Sequence, residues 1–165
     1  MHRPALALLL CLNLPGALAQ TLVERAAQDQ AIMVEAGDPA MNKAFARAQA
    51  SLDGFLLDAL APAPRNTNHA VKVRVTDGDN TEYFWVDELR RAGTGFRGRL
   101  DNEPRLVKHV RLGQQIDFPR SQIVDWTYRD ALGQMKGNFS TCVLLSKEKP
   151  EEARALATQL RLNCN

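Results

Sequence analysis

Between Phe96 and Tyr128 the chain reads FRGRLDNEPRLVKHVRLGQQIDFPRSQIVDWTY, a run that alternates, turns and alternates again. Phe96, Gly98 and Leu100 set against Arg97 and Arg99 repeat with period two, the spacing that sends successive side chains to opposite faces of a sheet. Asp101-Asn102-Glu103-Pro104 is a polar turn, and Leu106 to Val110 reads as a short strand or loop. Gly113 opens another turn. Ile116 and Phe118 then share one face of a strand that Pro119 stops at an edge, and Ile123 to Tyr128 is the next strand. Short strands separated by turn residues point to antiparallel pairing.

The flanking sequence extends the pattern in both directions. Asp38 and Pro39 start a helix, as N-cap and first helical residue, and Met41, Phe45, Ala48, Leu52 and Leu56 recur along one side of it. Ala61-Pro62-Ala63-Pro64 ends that helix in a stiff connector. From Ala70 the period becomes two: Val71, Val73 and Val75 alternate with Lys72, Arg74 and Thr76. Asp77-Gly78-Asp79-Asn80 is a hairpin turn, and Tyr83 to Leu89 is the return strand. Downstream, Leu132-Gly133 turns the chain into a long final strand, Met135 to Leu145. Pro150, with Glu151 and Glu152 behind it, then starts a C-terminal helix. The expected fold is α+β: an N-terminal helix, a curved antiparallel sheet or small barrel of five to seven strands, then a C-terminal helix.

The runs AVKVRV, YFWVDEL, LDNEP, G-x-x-I-x-F-P and IVDWTY occur in that order, and with them residues 38–145 resemble the YegJ-like family of bacterial proteins, catalogued as a domain of unknown function. The resemblance implies a bacterial domain and a shared fold. It implies no activity and no catalytic residues.

Residues 1–19 read as a signal peptide, with His2 and Arg3 as the basic region, Ala5 to Leu14 as the apolar region and Ala17-Leu18-Ala19 as the cleavage site. Cys11 does not signal lipidation, because Leu10 stands where that processing wants a small residue. Residues 20–37 read as a weakly helical leader, capped by Thr21 and Glu24 and broken at Ala36-Gly37, and residues 38–165 as a single domain. The expected location is periplasmic or secreted, with no transmembrane anchor after processing. Of the 21 basic residues only Arg3 precedes the cleavage site, so 20 cations face 19 anions in the mature chain. Near-neutrality and export both argue against nucleic acid as a partner. Cys142 and Cys164 allow one intramolecular bridge, expected to tie the last strand to the end of the C-terminal helix.

No motif demands chemistry. Gly93-Thr94-Gly95-Phe96-Arg97-Gly98 matches a dinucleotide fingerprint by letter, but the residues after it continue in period two where a helix is required. The Asp77–Asn80 turn lacks the rest of a calcium loop, so neither metal nor cofactor is expected. Asn138-Phe139-Ser140 is a glycosylation sequon by letter alone. Asp101, Glu103, His109 and Asp125 are the acid/base candidates, which would suit a hydrolase acting on a cell-wall or glycan substrate. Alternation sends Asp125 and Trp126 to opposite faces, which favours Trp126 in the core and Asp125 binding backbone N–H groups.

The cations are segregated. Arg90, Arg91, Arg97, Arg99, Arg105, Lys108 and Arg111 lie within one window that holds only Asp101 and Glu103 as acids. Arg97, Arg99, Arg105, Lys108 and Arg111 are therefore candidates to bind an anionic envelope component or an acidic protein. A non-catalytic binding module is the expectation, with the hydrolase and a secreted enzyme inhibitor as alternatives.

Overall fold

The structure, a computed structural model, describes residues 38–61 and 63–164. The signal peptide, the leader helix expected at Thr21 to Val34, and Pro62 lie outside them. The first helix, α1 (Pro39–Ala59), starts as its sequence dictates: the Asp38 carboxylate accepts N–H bonds from Ala40 at 2.8 Å and Met41 at 3.1 Å. Its buried side is Met41, Ala44, Ala48, Leu52, Phe55 and Leu56, while Phe45 turns half outward against the Tyr83 ring.

Six strands follow: β1 (Thr67–Asp77), β2 (Asn80–Ala92), β3 (Gly95–Leu100), β4 (Gln115–Phe118), β5 (Ile123–Arg129) and β6 (Met135–Gly137). They pair in the order β4-β3-β2-β1-β5-β6, antiparallel throughout. The edge strands β4 and β6 do not meet, so the sheet is open and not a barrel. Bulges in the β1–β5 and β2–β3 ladders bend it. The return strand is longer than the expected Tyr83–Leu89, because ladder pairing continues through both hairpin ends. The letters that mimic a dinucleotide fingerprint are the β2–β3 hairpin. Gly93 supplies the turn at φ 55°, and a Cβ on Gly98 would stand 2.5 Å from Val86 Cγ1.

Register fixes the faces. Val71 opposes Val86 and Trp126, and Val73 opposes Phe84 and Ile123. Their side chains, with Phe96, Leu100 and Phe118, pack against Ala48, Leu52, Phe55 and Leu56 of α1. Each large side chain so enclosed contributes roughly 1.5–3 kcal/mol of transfer free energy. The helix is pinned over β5 at two points: the Gln49 amide donates to the Ile123 carbonyl, and Trp126 Nε1 donates to Ala48 O at 3.1 Å.

The long final strand expected from Met135 to Leu145 is not there. Pairing stops at Gly137, which has φ 73°, and Asn138 follows at φ 55°. Two successive left-handed residues cannot continue a strand. The chain instead enters α2 (Phe139–Leu145) and then α3 (Pro150–Leu160). Leu145, Leu156 and Leu162 make a second apolar cluster with Met135, Cys142 and Ala153. Cys142 and Cys164 are bonded, with Cα atoms 5.4 Å apart, so the bridge joins α2, not a strand, to the residues beyond α3. Closing 22 residues contributes about 3 kcal/mol in the chain-entropy account. Among the described residues no helix is long and apolar enough to cross a membrane.

Candidate functional site

Residues 101–114 form a loop whose ends are tied together. Leu100 donates to Gln114 O at 2.9 Å and Gly113 donates to Leu100 O at 2.7 Å. Closed ends and a compact body are the features of an Ω-loop. Inside it, Val107 is fully buried in the core, and Asn102 Oδ1 accepts from Trp85 N–H at 2.6 Å, replacing a ladder partner that β3 no longer provides.

Two carboxylates of the β1–β2 hairpin hold the rest. Glu82 accepts from the backbone N–H groups of Arg105, Leu106 and Val107 at 3.0–3.2 Å, and Asp77 accepts from Lys108 N–H at 2.9 Å. Four consecutive amides are thus satisfied from below. That Lys108 bond, then His109, hold the Asp77 carboxyl below its ordinary range. Sequence reading missed Glu82, yet the signal was present. It shares parity with Phe84 and Val86, and a carboxylate at an inward strand position needs donors brought to it.

The binding candidates divide into two groups. Arg97 makes a two-pronged contact with Asp117 at 2.5 Å, which holds that carboxyl low. Arg99 reaches Asp87 at 2.6 Å and Glu88 at 2.9 Å. The Arg97–Arg99 face is thus matched by carboxylates. The neutralising acids lie just outside the sequence window, on strands that flank β3, where cross-strand pairing brings opposite charges together. Burial pushes the Asp87 carboxyl up despite Arg99. By contrast Arg105, Lys108 and Arg111 are exposed on the loop and make no ion pair among the described residues; Lys108 Nζ donates to Arg105 O.

The acid/base candidates are dispersed. Asp101 and Glu103 are exposed at the start of the loop, and His109 Nδ1 lies 3.4 Å from Asp77. Asp125 is 0% exposed, and its carboxylate accepts from Trp126 N–H at 2.8 Å, Ser140 N–H at 2.8 Å and Ser140 Oγ–H at 2.7 Å. No hydrogen bond or ion pair among the described residues joins Asp125 to Asp101, Glu103 or His109. No group of three or more His, Cys, Asp or Glu among the described residues is arranged to hold a metal ion.

A second buried carboxylate escaped the sequence reading. Asp58, near the end of α1, accepts from Arg65 N–H at 3.0 Å and Asn66 Nδ2–H at 2.7 Å, and pairs with His69 Nε2 at 2.9 Å. The His69 ring lies beside those of Phe55 and Tyr128. This carboxylate sews the helix end to β1. The Arg65 bond foremost, with His69 and Asn66 working against burial, holds the Asp58 carboxyl far below its ordinary value. A folded-state pKa below the unfolded value gives stability that is present above about pH 4 and lost as pH falls further. Asp58→Asn is therefore expected to lower stability at neutral pH by about 2 kcal/mol and to flatten its decline in acid. Thermal unfolding followed as a function of pH checks this. Parallel curves for both proteins would show that Asp58 carries no such linkage.

Comparison with known proteins gives the family of the chain. The family model described as "Uncharacterized protein conserved in bacteria (DUF2314)" matches residues 38–162. "Uncharacterized protein YegJ" of Escherichia coli K12 is 30% identical over 121 residues, covering 73% of this chain and 77% of that protein. A "Putative ankyrin repeat protein" of Neisseria meningitidis serogroup B is 33% identical over 52 residues, which is 32% of this chain and 21% of that protein. No solved structure matches. The family match runs from the N-cap of α1 to the bridge that Leu162 makes with Met135, taking in the sheet, the tied loop and helices α1, α2 and α3, and the chain belongs to the DUF2314 family.

Proposed function

We propose that this protein is an exported, non-catalytic binding module of the bacterial envelope, formed by residues 38–165 as one domain, whose 101–114 loop meets an anionic partner. The observation that carries this reading is the loop itself. Three exposed cations stand on fixed backbone: Arg105 and Lys108 N–H donate to Glu82 and Asp77, and Arg111 N–H donates to Gln114 Oε1 at 3.1 Å. A preorganised loop loses little entropy on binding. The signal features of residues 1–19 and the Cys142–Cys164 bond support export.

Retention of the mature chain on phosphocellulose tests the reading. Binding is expected at low salt and is expected to weaken as salt screens exposed charges. Changing Arg105, Lys108 and Arg111 together to Ser should abolish retention. Changing Arg97 and Arg99 to Ser should largely spare it, because both already have carboxylate partners. If the triple variant elutes with the parent, the loop is not the binding surface. If retention depends on Arg97 and Arg99 alone, the contact lies on the sheet.

A further inference from the structure

We infer that the 101–114 loop docks on the surface of an anionic phospholipid bilayer, its cations on phosphate and two leucines in the headgroup–acyl boundary. This rests on the loop reading above and names the partner. From Arg105 to Leu112 the loop reads RLVKHVRL, and no acid occurs between Glu103 and Asp117. Two of its aliphatic residues turn inward: Val107 is fully buried and Val110 packs against the core. The other two face solvent, Leu106 at 38% and Leu112 at 51% exposure. Only four large hydrophobic side chains are exposed among the described residues, and this one loop holds two of them.

A lone surface leucine is ordinary. Two leucines interleaved with three cations that make no ion pair among the described residues, on a loop tied by backbone hydrogen bonds, are a different chemistry. An acidic protein partner would engage the cations and has no need of the leucines. A bilayer surface uses both, because phosphates attract Lys and Arg while the boundary below them accepts short apolar side chains. The carboxylates of Glu82 and Asp77 sit beneath the loop amides, so they orient it without competing for its outer face.

The test is co-sedimentation of the mature chain with vesicles of phosphatidylcholine alone, or of phosphatidylcholine and phosphatidylglycerol in equal parts. Binding is expected only to the second and is expected to fall with salt. Each cation near such a surface strengthens binding about five-fold, so changing Arg105, Lys108 and Arg111 to Ser should weaken sedimentation by about a hundred-fold. Changing Leu106 and Leu112 to Ser should weaken it by about ten-fold and leave phosphocellulose retention unchanged. Near-UV circular dichroism confirms that both variants are folded. A chain that binds phosphocellulose or a polyglutamate resin but ignores the anionic vesicles overturns the bilayer proposal and leaves the anionic-partner reading standing. A chain that binds none of these overturns both. Undiminished sedimentation of the leucine variant overturns insertion into the boundary.

Discussion

Replacing Asp125 with Ala is expected to destabilise the protein by about 4 kcal/mol, enough to lower the melting temperature by roughly 15 °C. The carboxylate is fully enclosed, and three donors converge on it: Trp126 N–H, Ser140 N–H and Ser140 Oγ–H. Lys72, itself buried, opposes it across the β1–β5 ladder and attracts it electrostatically. Burial pushes the Asp125 carboxyl up, while Lys72 and the Ser140 and Trp126 donors pull it back down. Ser140 sits in the first turn of α2, whose N-cap residue Asn138 makes no side-chain capping bond. Asp125 therefore supplies from the neighbouring strand the acceptor that a local cap would provide. Alanine leaves those donors buried without an acceptor. Asp125→Asn keeps one oxygen but sets an amide NH2 against a backbone N–H that can only donate, so a loss of about 2 kcal/mol is expected. Urea unfolding measures both. If Asp125→Ala unfolds at the parent's denaturant midpoint, the carboxylate does not hold α2. Either variant should bind phosphocellulose as the parent does while folded, whereas a hydrolase using Asp125 would lose turnover and keep binding.

The contrast between the two ends of the sheet explains what could be read from sequence. The β1–β2 hairpin was legible because its information is local: Val71, Val73 and Val75 alternate, and Gly78 marks the turn. The α1 start was legible for the same reason, since Asp38 caps amides two and three residues away. The carboxylate partners of the charged face were not legible, because neutralisation is not local. Asp117 lies twenty residues from Arg97, and only the β3–β4 register joins them. The tied loop was invisible for a related reason, as Glu82 reaches Val107 across twenty-five residues. The stretch after Met135 failed differently. Val143, Leu144 and Leu145 suit a strand or a buried helix equally well by composition. Two signals stood against the strand: Gly137, and the neighbouring Asn138 at a left-handed position, a residue type that tolerates it. Neither is decisive without knowing that Trp126 lies across the ladder.

Gly137→Ala is expected to be among the most damaging single changes in this fold, at about 4 kcal/mol or more. The backbone there has φ 73°, which costs an L-alanine about 1–2 kcal/mol on its own. The added Cβ would also overlap the Trp126 carbonyl oxygen and stand 2.5 Å from the indole Cε3 and 2.7 Å from Cζ3. That indole has little room to retreat. It is stacked on Phe55 at 5.2 Å and Tyr128 at 5.6 Å between ring centroids, meets Phe139 edge-on at 5.5 Å, and is hydrogen-bonded to Ala48. Relieving the clash would move β6 off β5 and carry the start of α2 away from Asp125. Gly133 separates the two contributions. It also has positive φ, 71°, but its Cβ would meet only the flexible Arg161 guanidinium at 3.0 Å. Gly133→Ala should therefore cost only the backbone part, about 1–2 kcal/mol. Melting temperatures of the two variants, with near-UV circular dichroism to follow the Trp126 environment, decide the matter. Equal losses would mean that backbone strain alone fixes these glycines. A much larger loss at Gly137, with an altered indole signal, shows that the turn into α2 is held open for Trp126.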